Sequence, residues 1–446
     1  MKKFLSTLII GVFFLIGAIA HAEIKPYEGV GEYYMSDFET FEVAQQRAKQ
    51  RAEQNACEQA GVYVKSFSRT KNFELDENII ETMTSGILKI LDVQYHRENF
   101  DNNTTLIRAT IKAQIDSNDV LKWLNKNDDE KSELVAQMEA LRKANAEQER
   151  QIAELKKQLA EVKTSQDKER ITQAFAEEDK IFLSNQKVEE AMKFREKGSY
   201  DEAIKLLKEA LELNPNNDDA KYWLANVYSL RAYDYWESEK YEQAIQDLTE
   251  SLKLEPDDYH YFIRGRLYIA NKQYKQAIQD FDKLIRSEPD EDLYMARGMA
   301  YGGLKQYEQA IQDLNKSIEL RDDNYGAYLV RGSIYFLLKE YERAIQDLDR
   351  ALEDFNNGYG YNRDNYNLNN YPKMKFDVVS LFSIRGLCYQ QIDDKEKARA
   401  DFAKVKELDP EGKTVSKTVE LIYDQLGNNK KTRSLLNKAK KLGFNG

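Results

Sequence analysis

The chain has 446 residues, enough for two or three domains, with 32% of them charged and a formal net charge of −11 at neutral pH. That acidity argues against a surface made for nucleic acid or for an anionic membrane. Two cysteines and three histidines offer no metal-ligand spacing, so neither a metal nor a cofactor is expected.

Met1-Lys2-Lys3, an apolar run from Leu8 to Ile19 and then Ala20-His21-Ala22 read as a secretory signal over residues 1–22, cleaved before Glu23. The run falls short of the roughly 18 apolar residues that a membrane span needs, and no later segment could supply one. The mature chain is therefore expected outside the cytoplasm, in the periplasm or cell envelope. Cys57 and Cys388 lie in different predicted domains and read as two separate buried thiols.

Residues 23–125 carry mixed periodicity and predict a small α+β domain. Gly29–Met35 reads as a strand, and Phe41–Ala60 as a helix whose Ala44, Ala48, Ala52, Ala56 and Ala60 recur at i+4. Such a stripe suits a helix lying close on a sheet. Val62–Phe67 is expected as a second strand, Asn78–Lys89 as a second helix, and Leu91–Arg97 and Leu106–Ile115 as two further strands. In the last, Ile107, Ala109, Ile111, Ala113 and Ile115 share one face. The predicted order is β-α-β-α-β-β. The run from Tyr33-Tyr34-Met35-Ser36-Asp37-Phe38-Glu39 to Glu58-Gln59-Ala60-Gly61-Val62-Tyr63-Val64 is similar to the amino-terminal domain of a flagellar assembly protein and to related envelope lipoproteins. The resemblance implies an envelope assembly role without catalytic residues.

Residues 126–166 are charged, lack Pro and Gly, and show a heptad. Leu134, Leu141, Gln148, Leu155 and Val162 take the d position, and Met138, Asn145, Ile152 and Leu159 the a position. Leu at d with one Asn at a favours a parallel dimer, with a trimer as the minority form. Oligomerisation through Leu134, Met138, Leu141, Asn145, Ile152, Leu155 and Leu159 is therefore expected. The competing reading is a single helix lying on the protein's own surface. Ile171, Phe175 and Phe182, in a linker helix over 167–183, leave the heptad phase and are expected to cap the next domain.

That domain, residues 184–446, repeats itself. Ala-Ile-Gln-Asp-Leu/Phe stands at Ala244–Leu248, Ala277–Phe281, Ala310–Leu314 and Ala344–Leu348, at spacings of 33, 33 and 34 residues. A Tyr precedes each Ala by three residues, and Arg followed by a small residue stands ahead of it. This period and pattern resemble the tetratricopeptide repeat, a helix–turn–helix unit. The resemblance implies six repeats beginning at Ser184, Ala225, Asp258, Glu291, Tyr325 and Val379, a degenerate seventh helix pair turning at Gly427-Asn428-Asn429, and an all-α right-handed superhelical solenoid. Ala203 to Ala244 spans seven residues more than one repeat, which predicts two extra helical turns. Ala344 to Ala398 spans 20 more, an Asn- and Tyr-rich insertion around Asn356–Pro372 that reads as a surface loop or as a lip of the groove.

Little here could carry chemistry. Gly412-Lys413-Thr414 lacks the upstream Gly of a phosphate loop, and Ser184-x-x-Lys187 lacks the partner motifs of an acyl enzyme. No enzyme is expected; a hydrolase would need a nucleophile and base that the pattern does not supply. One polar pattern is systematic. Arg231, Arg264, Arg297, Arg331 and Arg385 occupy the seventh repeat position, and the same five repeats carry Asp247, Asp280, Asp313, Asp347 and Asp401 at the twenty-third. The first repeat has neither. Joint presence and joint absence predict an Arg–carboxylate pair, within a repeat or to its neighbour.

The resemblance also implies that the inner face of the repeats' first helices binds a protein or peptide. The residues placed there are Tyr233, Trp236, Tyr259, Phe262, Arg266, Ile269, Met295, Met299, Leu329, Ser333 and Phe336, an aromatic and Met-rich wall with one cation. The expected role is an exported, non-catalytic scaffold or adaptor. The alternative is a coordinator of envelope assembly, division or export, similar to Tol-associated proteins that join a coiled coil to such repeats.

Overall fold

The computed structural model describes residues 23–36, 39–71, 73–99, 104–162, 164–359, 372–416, 418–419 and 430–444. The expected signal, most of the Asn- and Tyr-rich insertion and the Gly427–Asn429 turn lie outside the described residues. The chain divides into two compact units, residues 1–220 and 221–446.

The first unit opens with a three-stranded antiparallel sheet of β1 (Ile24–Ser36), β2 (Lys89–Asn99) and β3 (Thr104–Asp116), ordered β1-β3-β2. Ile107, Ala109, Ile111, Ala113 and Ile115 of β3 are all buried, as their alternation requires. The face they form is covered by α1 (Phe41–Thr70), and α2 (Glu77–Ile87) and α3 (Ser117–Leu124) complete the layer. The segment expected as a strand at Val62–Phe67 is instead the end of α1. Val64 and Ser68 are fully buried and continue the alanine stripe at i+4 beyond Ala60, so the helical period outweighs the local β-branched residues. The order in this domain is thus β-α-α-β-β-α.

Gly29 and Gly31 of β1 let that helix lie so low. A Cβ on Gly29 would overlap the Ala52 carbonyl oxygen, and one on Gly31 the Ala48 carbonyl oxygen. The alanines supply the shallow helix face and the two glycines remove the opposing side chains.

Helices α4 (Asp128–Glu161) and α5 (Ser165–Glu196) follow and pack on each other within one chain. Where the heptad predicts a seam between chains, Ile152 is buried against Ile171 and Phe175 of α5, with Leu155, Leu159 and Val162 packed around them. Gln148 is buried as well, and its amide donates to the Glu178 carbonyl at 3.0 Å. The competing reading, a helix resting on its own chain, describes these residues. Leu134 and Met138 are half-buried; the side chains of Leu141 and Asn145 lie outside the described residues. Ile171 and Phe175 therefore close the α4 stripe and do not cap a repeat.

A buried charge cluster ties this hairpin to the sheet domain. Arg47 of α1 donates to Glu39 at 2.5 Å and to the Tyr33 hydroxyl at 2.8 Å, while Tyr33 itself donates to Glu39. Lys156 of α4 lies 2.9 Å from Glu39. From α5, Asp179 stands 3.5 Å from Arg47, and the Phe182 ring lies 4.9 Å beneath the Arg47 guanidinium. Burial pushes the Asp179 carboxyl up to about 6, against the opposing pull of Arg47.

α5 continues unbroken into the first helix pair with α6 (Tyr200–Leu213). The later pairs are α7 (Asp218–Glu237) with α8 (Tyr241–Leu254), α9 (Asp258–Ala270) with α10 (Tyr274–Ser287), and α11 (Glu291–Gly303) with α12 (Tyr307–Leu320). They are followed by α13 (Tyr325–Leu338) with α14 (Tyr341–Tyr359) and by α15 (Pro372–Gln391) with α16 (Lys395–Leu408). A last helix, α17, spans Lys430–Lys441. α7 runs 20 residues where α9 runs 13, so the seven-residue surplus is two turns of helix. Strands occur only before residue 117 among the described residues.

Every pair turns in the same way. At the fifteenth repeat position the chain enters the left-handed region: Glu239, Lys272, Lys305, Lys339 and Asp393 have φ of 56° to 66°, and Gly198 takes that place in the first pair at 73°. Gln273 N–H then donates to the Tyr268 carbonyl at 2.7 Å and Lys272 N–H to that of Ile269 at 3.0 Å. These two bonds satisfy carbonyls that the end of α9 leaves open.

Candidate functional site

The repeated arginines form a ladder. Each chelates its aspartate through Nε and Nη2: Arg231 with Asp247, Arg264 with Asp280, Arg297 with Asp313, Arg331 with Asp347 and Arg385 with Asp401, all at 2.6–2.9 Å. The remaining nitrogen, Nη1, reaches back to the second helix of the preceding pair. It meets Thr249 from Arg264 at 3.1 Å, Asp282 from Arg297, Asn315 from Arg331 and Asp349 from Arg385, each at 2.6 Å. One guanidinium thus joins two helices of its own repeat and a third from the repeat before it.

Aromatic rings hold each guanidinium in plane. Arg264 lies over Tyr261 at 5.2 Å and Tyr268 at 5.7 Å, three residues before it and four after. Tyr228 and Tyr235 do the same for Arg231, Tyr294 and Tyr301 for Arg297, and Phe382 and Tyr389 for Arg385. The hydrogen bonds to Asp313 hold the Arg297 guanidinium above its ordinary range, while burial pushes the Asp401 carboxyl up despite Arg385. These arginines are spent on structure and are not free to grip a ligand.

A different set is half-buried around one exposed ring, Tyr259. On α7 and α9, Tyr233 and Trp236 lie with ring centroids 6.4 Å apart, and Arg266 sits 5.5 Å from the Trp236 ring and 5.7 Å from that of Phe262. Tyr259 is 60% exposed beside them. Burial, together with Tyr259, pushes the Tyr233 hydroxyl above its ordinary range. Arg266 makes no ion pair among the described residues, although the chain is acidic. The structure therefore brings Tyr233, Trp236, Tyr259, Phe262 and Arg266 into one patch.

The other residues expected on that wall fare differently. Met299 is 39% exposed on α11, whereas Ile269 and Met295, like Phe262, pack against neighbouring helix pairs. Leu329 packs on the carboxy-terminal core, and Ser333 turns its hydroxyl back to the Leu329 carbonyl at 2.7 Å. Phe336 is a correction. It is only 5% exposed and belongs to the core with Leu348, Leu381 and Ile384, so it is no docking anchor. The pairing partners at the fourth and twenty-fifth repeat positions went unread in the sequence. Their signal is there: an aromatic three residues before every Arg, and a polar residue two after four of the five Asp.

Family models describe the same segments. Those for the TPR repeat and the tetratricopeptide repeat match residues 192–230, 229–292, 295–359 and 380–411. The helix pairs are tetratricopeptide repeats. No curated protein matches the chain. Among solved structures, similar chains include MamA from Desulfovibrio magneticus RS-1 at 20% identity, over 40% of this chain and 97% of that one, with a TM-score of 0.32. A tetratricopeptide repeat protein from Parabacteroides merdae is 20% identical over 59% of this chain and 84% of its own, with the same TM-score of 0.32. YrrB, described as a TPR protein with an unusual peptide-binding site, is 19% identical over 47% and 94%, again at 0.32. At that level of superposition they say nothing of what this chain binds. Tetratricopeptide repeats imply interaction with other proteins, and no enzyme family is indicated.

Proposed function

We propose that this protein is an exported, non-catalytic scaffold of the cell envelope that holds a protein partner on the first-helix face of its repeats. The anchor is the patch of Tyr233, Trp236, Tyr259, Phe262 and Arg266. One observation carries the reading: Arg266 lies between two aromatic rings with no carboxylate partner among the described residues, while the first-helix arginines that recur at the seventh position are each chelated. Stacking orients the guanidinium and leaves its N–H groups to a partner's carboxylate or carbonyl. Tyr259 and Trp236 offer apolar area whose burial contributes about 25 cal/mol per Å². The export half rests on Lys2, Lys3, the apolar run and Ala20-His21-Ala22.

A photo-crosslinking residue at Tyr259 in whole cells, with mass spectrometry of the captured species, tests the reading. Capture should recur from one partner, and the mature chain should begin at Glu23 in the envelope fraction. Replacing Trp236 and Arg266 by Ala together should lower capture about tenfold or more, as loss of an aromatic and an Arg anchor does, with helix content unchanged. Undiminished capture by that variant would remove the patch from the interface.

A further inference from the structure

The two edges of the amino-terminal sheet differ in what covers them. In an antiparallel ladder a residue turns its N–H and its carbonyl to the same side. On the free edge of β1 those groups are met by side chains. Val30 N–H donates to Asn55 Oδ1 at 3.3 Å, and Gln59 donates to the Glu28 carbonyl at 3.0 Å. Arg51 donates to the Glu32 carbonyl at 2.8 Å and Lys156 to that of Tyr34 at 3.1 Å. The intervening Gly29, Gly31 and Tyr33 therefore bond inward, to Ile111, Ala109 and Ile107 of β3. Those three spend their backbone groups on β1, and on their other side they face Val93, Tyr95 and Arg97 of β2. The N–H and carbonyl groups of Val93, Tyr95 and Arg97 then point away from β3, out of the open edge.

Among the described residues nothing bonds to that edge, and Asp92 and Gln94 to Asn99 are all exposed. The irregularity of β2 lies at its start, where Leu91 is the extra residue, so the strand beyond it is regular. Such a row of open N–H and carbonyl groups is a template for another strand.

The side chains specify which strand. A second β2 related by a two-fold axis must set outward-pointing residues against one another, which leaves few registers, counted past Leu91. Centring on Tyr95 puts Asp92 opposite Glu98, and like charges directly opposite are destabilising. Centring on Val93 puts Lys89 opposite His96 and leaves Asp92 facing Gln94. Centring on Gln94 resolves both: Asp92 meets His96, Lys89 meets Glu98, and Val93 meets Tyr95 on the helix-side face. Acid–base and aromatic–β-branched pairs of this kind stabilise a sheet, and the axis makes each of them twice.

We propose that β2 docks on β2 of a second copy of this chain, antiparallel about a two-fold axis at Gln94, so that two sheets become one. The heptad of α4 is already closed by α5 of its own chain, and the bare edge of the sheet supplies the contact between copies instead.

Sedimentation of the intact chain at micromolar concentration should give twice the monomer mass. Gln94→Cys sets two thiols opposite each other in a non-hydrogen-bonded pair, with Cα atoms about 4.5 Å apart, a distance that a disulfide spans. Oxidation should convert most of that variant to a cross-linked dimer, with the parent chain and its Cys57 and Cys388 as the control. His96→Cys, which faces Asp92 of the second copy, should stay uncross-linked. Tyr95→Pro removes an outward N–H from each copy at an edge that tolerates proline, and should weaken association at least about tenfold. If Tyr95→Pro disturbs folding, a charge exchange decides. His96→Asp should weaken the dimer about tenfold or more, and adding Asp92→His to the same chain should restore it. A dimer that Gln94→Cys does not trap overturns the proposal. A monomer at every concentration does so too, even if the β2 amides gain protection from exchange in an envelope extract, because the edge then takes an extended segment of another protein.

Discussion

In residues 23–220 the closest approach of two elements is made once, where Gly29 and Gly31 of β1 meet the alanine stripe of α1. In residues 221–446 close approach is made repeatedly, with Gly265, Gly298, Gly332 and Gly386 each facing a second-helix Phe or Leu, and each time an Arg–Asp chelate stands one residue earlier. The polar groups differ in the same sense. The amino-terminal unit buries one irregular cluster, Glu39, Arg47, Lys156 and Asp179, gathered from residues 140 positions apart. The repeats bury one arrangement five times. A unique contact has no spare, whereas a repeated one is shared with neighbours, so the two units should fail differently.

The largest effect is expected from Gly31→Ala. Its new methyl meets backbone at Ala48 and Ala52, which cannot rotate away. Overpacking of this kind costs about 3 kcal/mol or more. Hydrogen exchange should show the amides of α1 and β3 released, with those of α9 to α12 unchanged. Unaltered protection in α1 would mean that the sheet and helix are not held so close.

Next in size is Arg297→Ala, which leaves Asp313 buried beside Asp282 with no counter-charge. Removing one partner of a buried pair costs about 3–5 kcal/mol; partial exposure of the guanidinium puts this one nearer the lower figure. Denaturant unfolding measures it. Adding Asp313→Ala should recover part of the loss, because the two sites are coupled. A cost below about 0.5 kcal/mol, the scale of ordinary surface substitutions, would show that the ladder is not structural.

The smallest effect sharpens the comparison. Lys272 holds φ of 58° where the first pair uses Gly198 at 73°. Lys272→Gly removes the left-handed penalty and adds chain entropy to the unfolded state, for a net gain of about 0.5 kcal/mol. Gly198→Lys should lose a similar amount. Thermal melts of both single variants check it, and shifts of the same sign in the two would refute the turn assignment.

Much of the repeat unit was legible because its constraints recur. A period of 33 or 34 residues fixes which positions are equivalent, so the shared presence of Arg and Asp, and their shared absence from the first repeat, reveal a pair without any view of it. The third ligand of each Arg was less legible, since Thr249, Asp282, Asn315 and Asp349 share polarity and not identity. In the amino-terminal unit the strand pattern of Leu106–Ile115 was plain, but Val62–Phe67 misled: its β-branched residues favour a strand locally, and only burial of Val64 and Ser68 along the α1 stripe decides for helix.

The amino-acid order by itself determined the helix-pair period, the alanine stripe, the length added to α7 and the existence of an Arg–carboxylate pair, because each depends on spacing along one or two helices. Only the tertiary structure decided which surface an apolar side chain meets. A heptad states that Ile152, Leu155 and Leu159 must be covered and is silent on whether another chain or α5 covers them. Position within a repeat put Phe336 and Phe262 on the same wall, and neighbouring helices then buried the first fully and the second only in part, against Phe281 and beside Arg266. Burial is a property of what lies opposite, and that is set by residues far away along the chain.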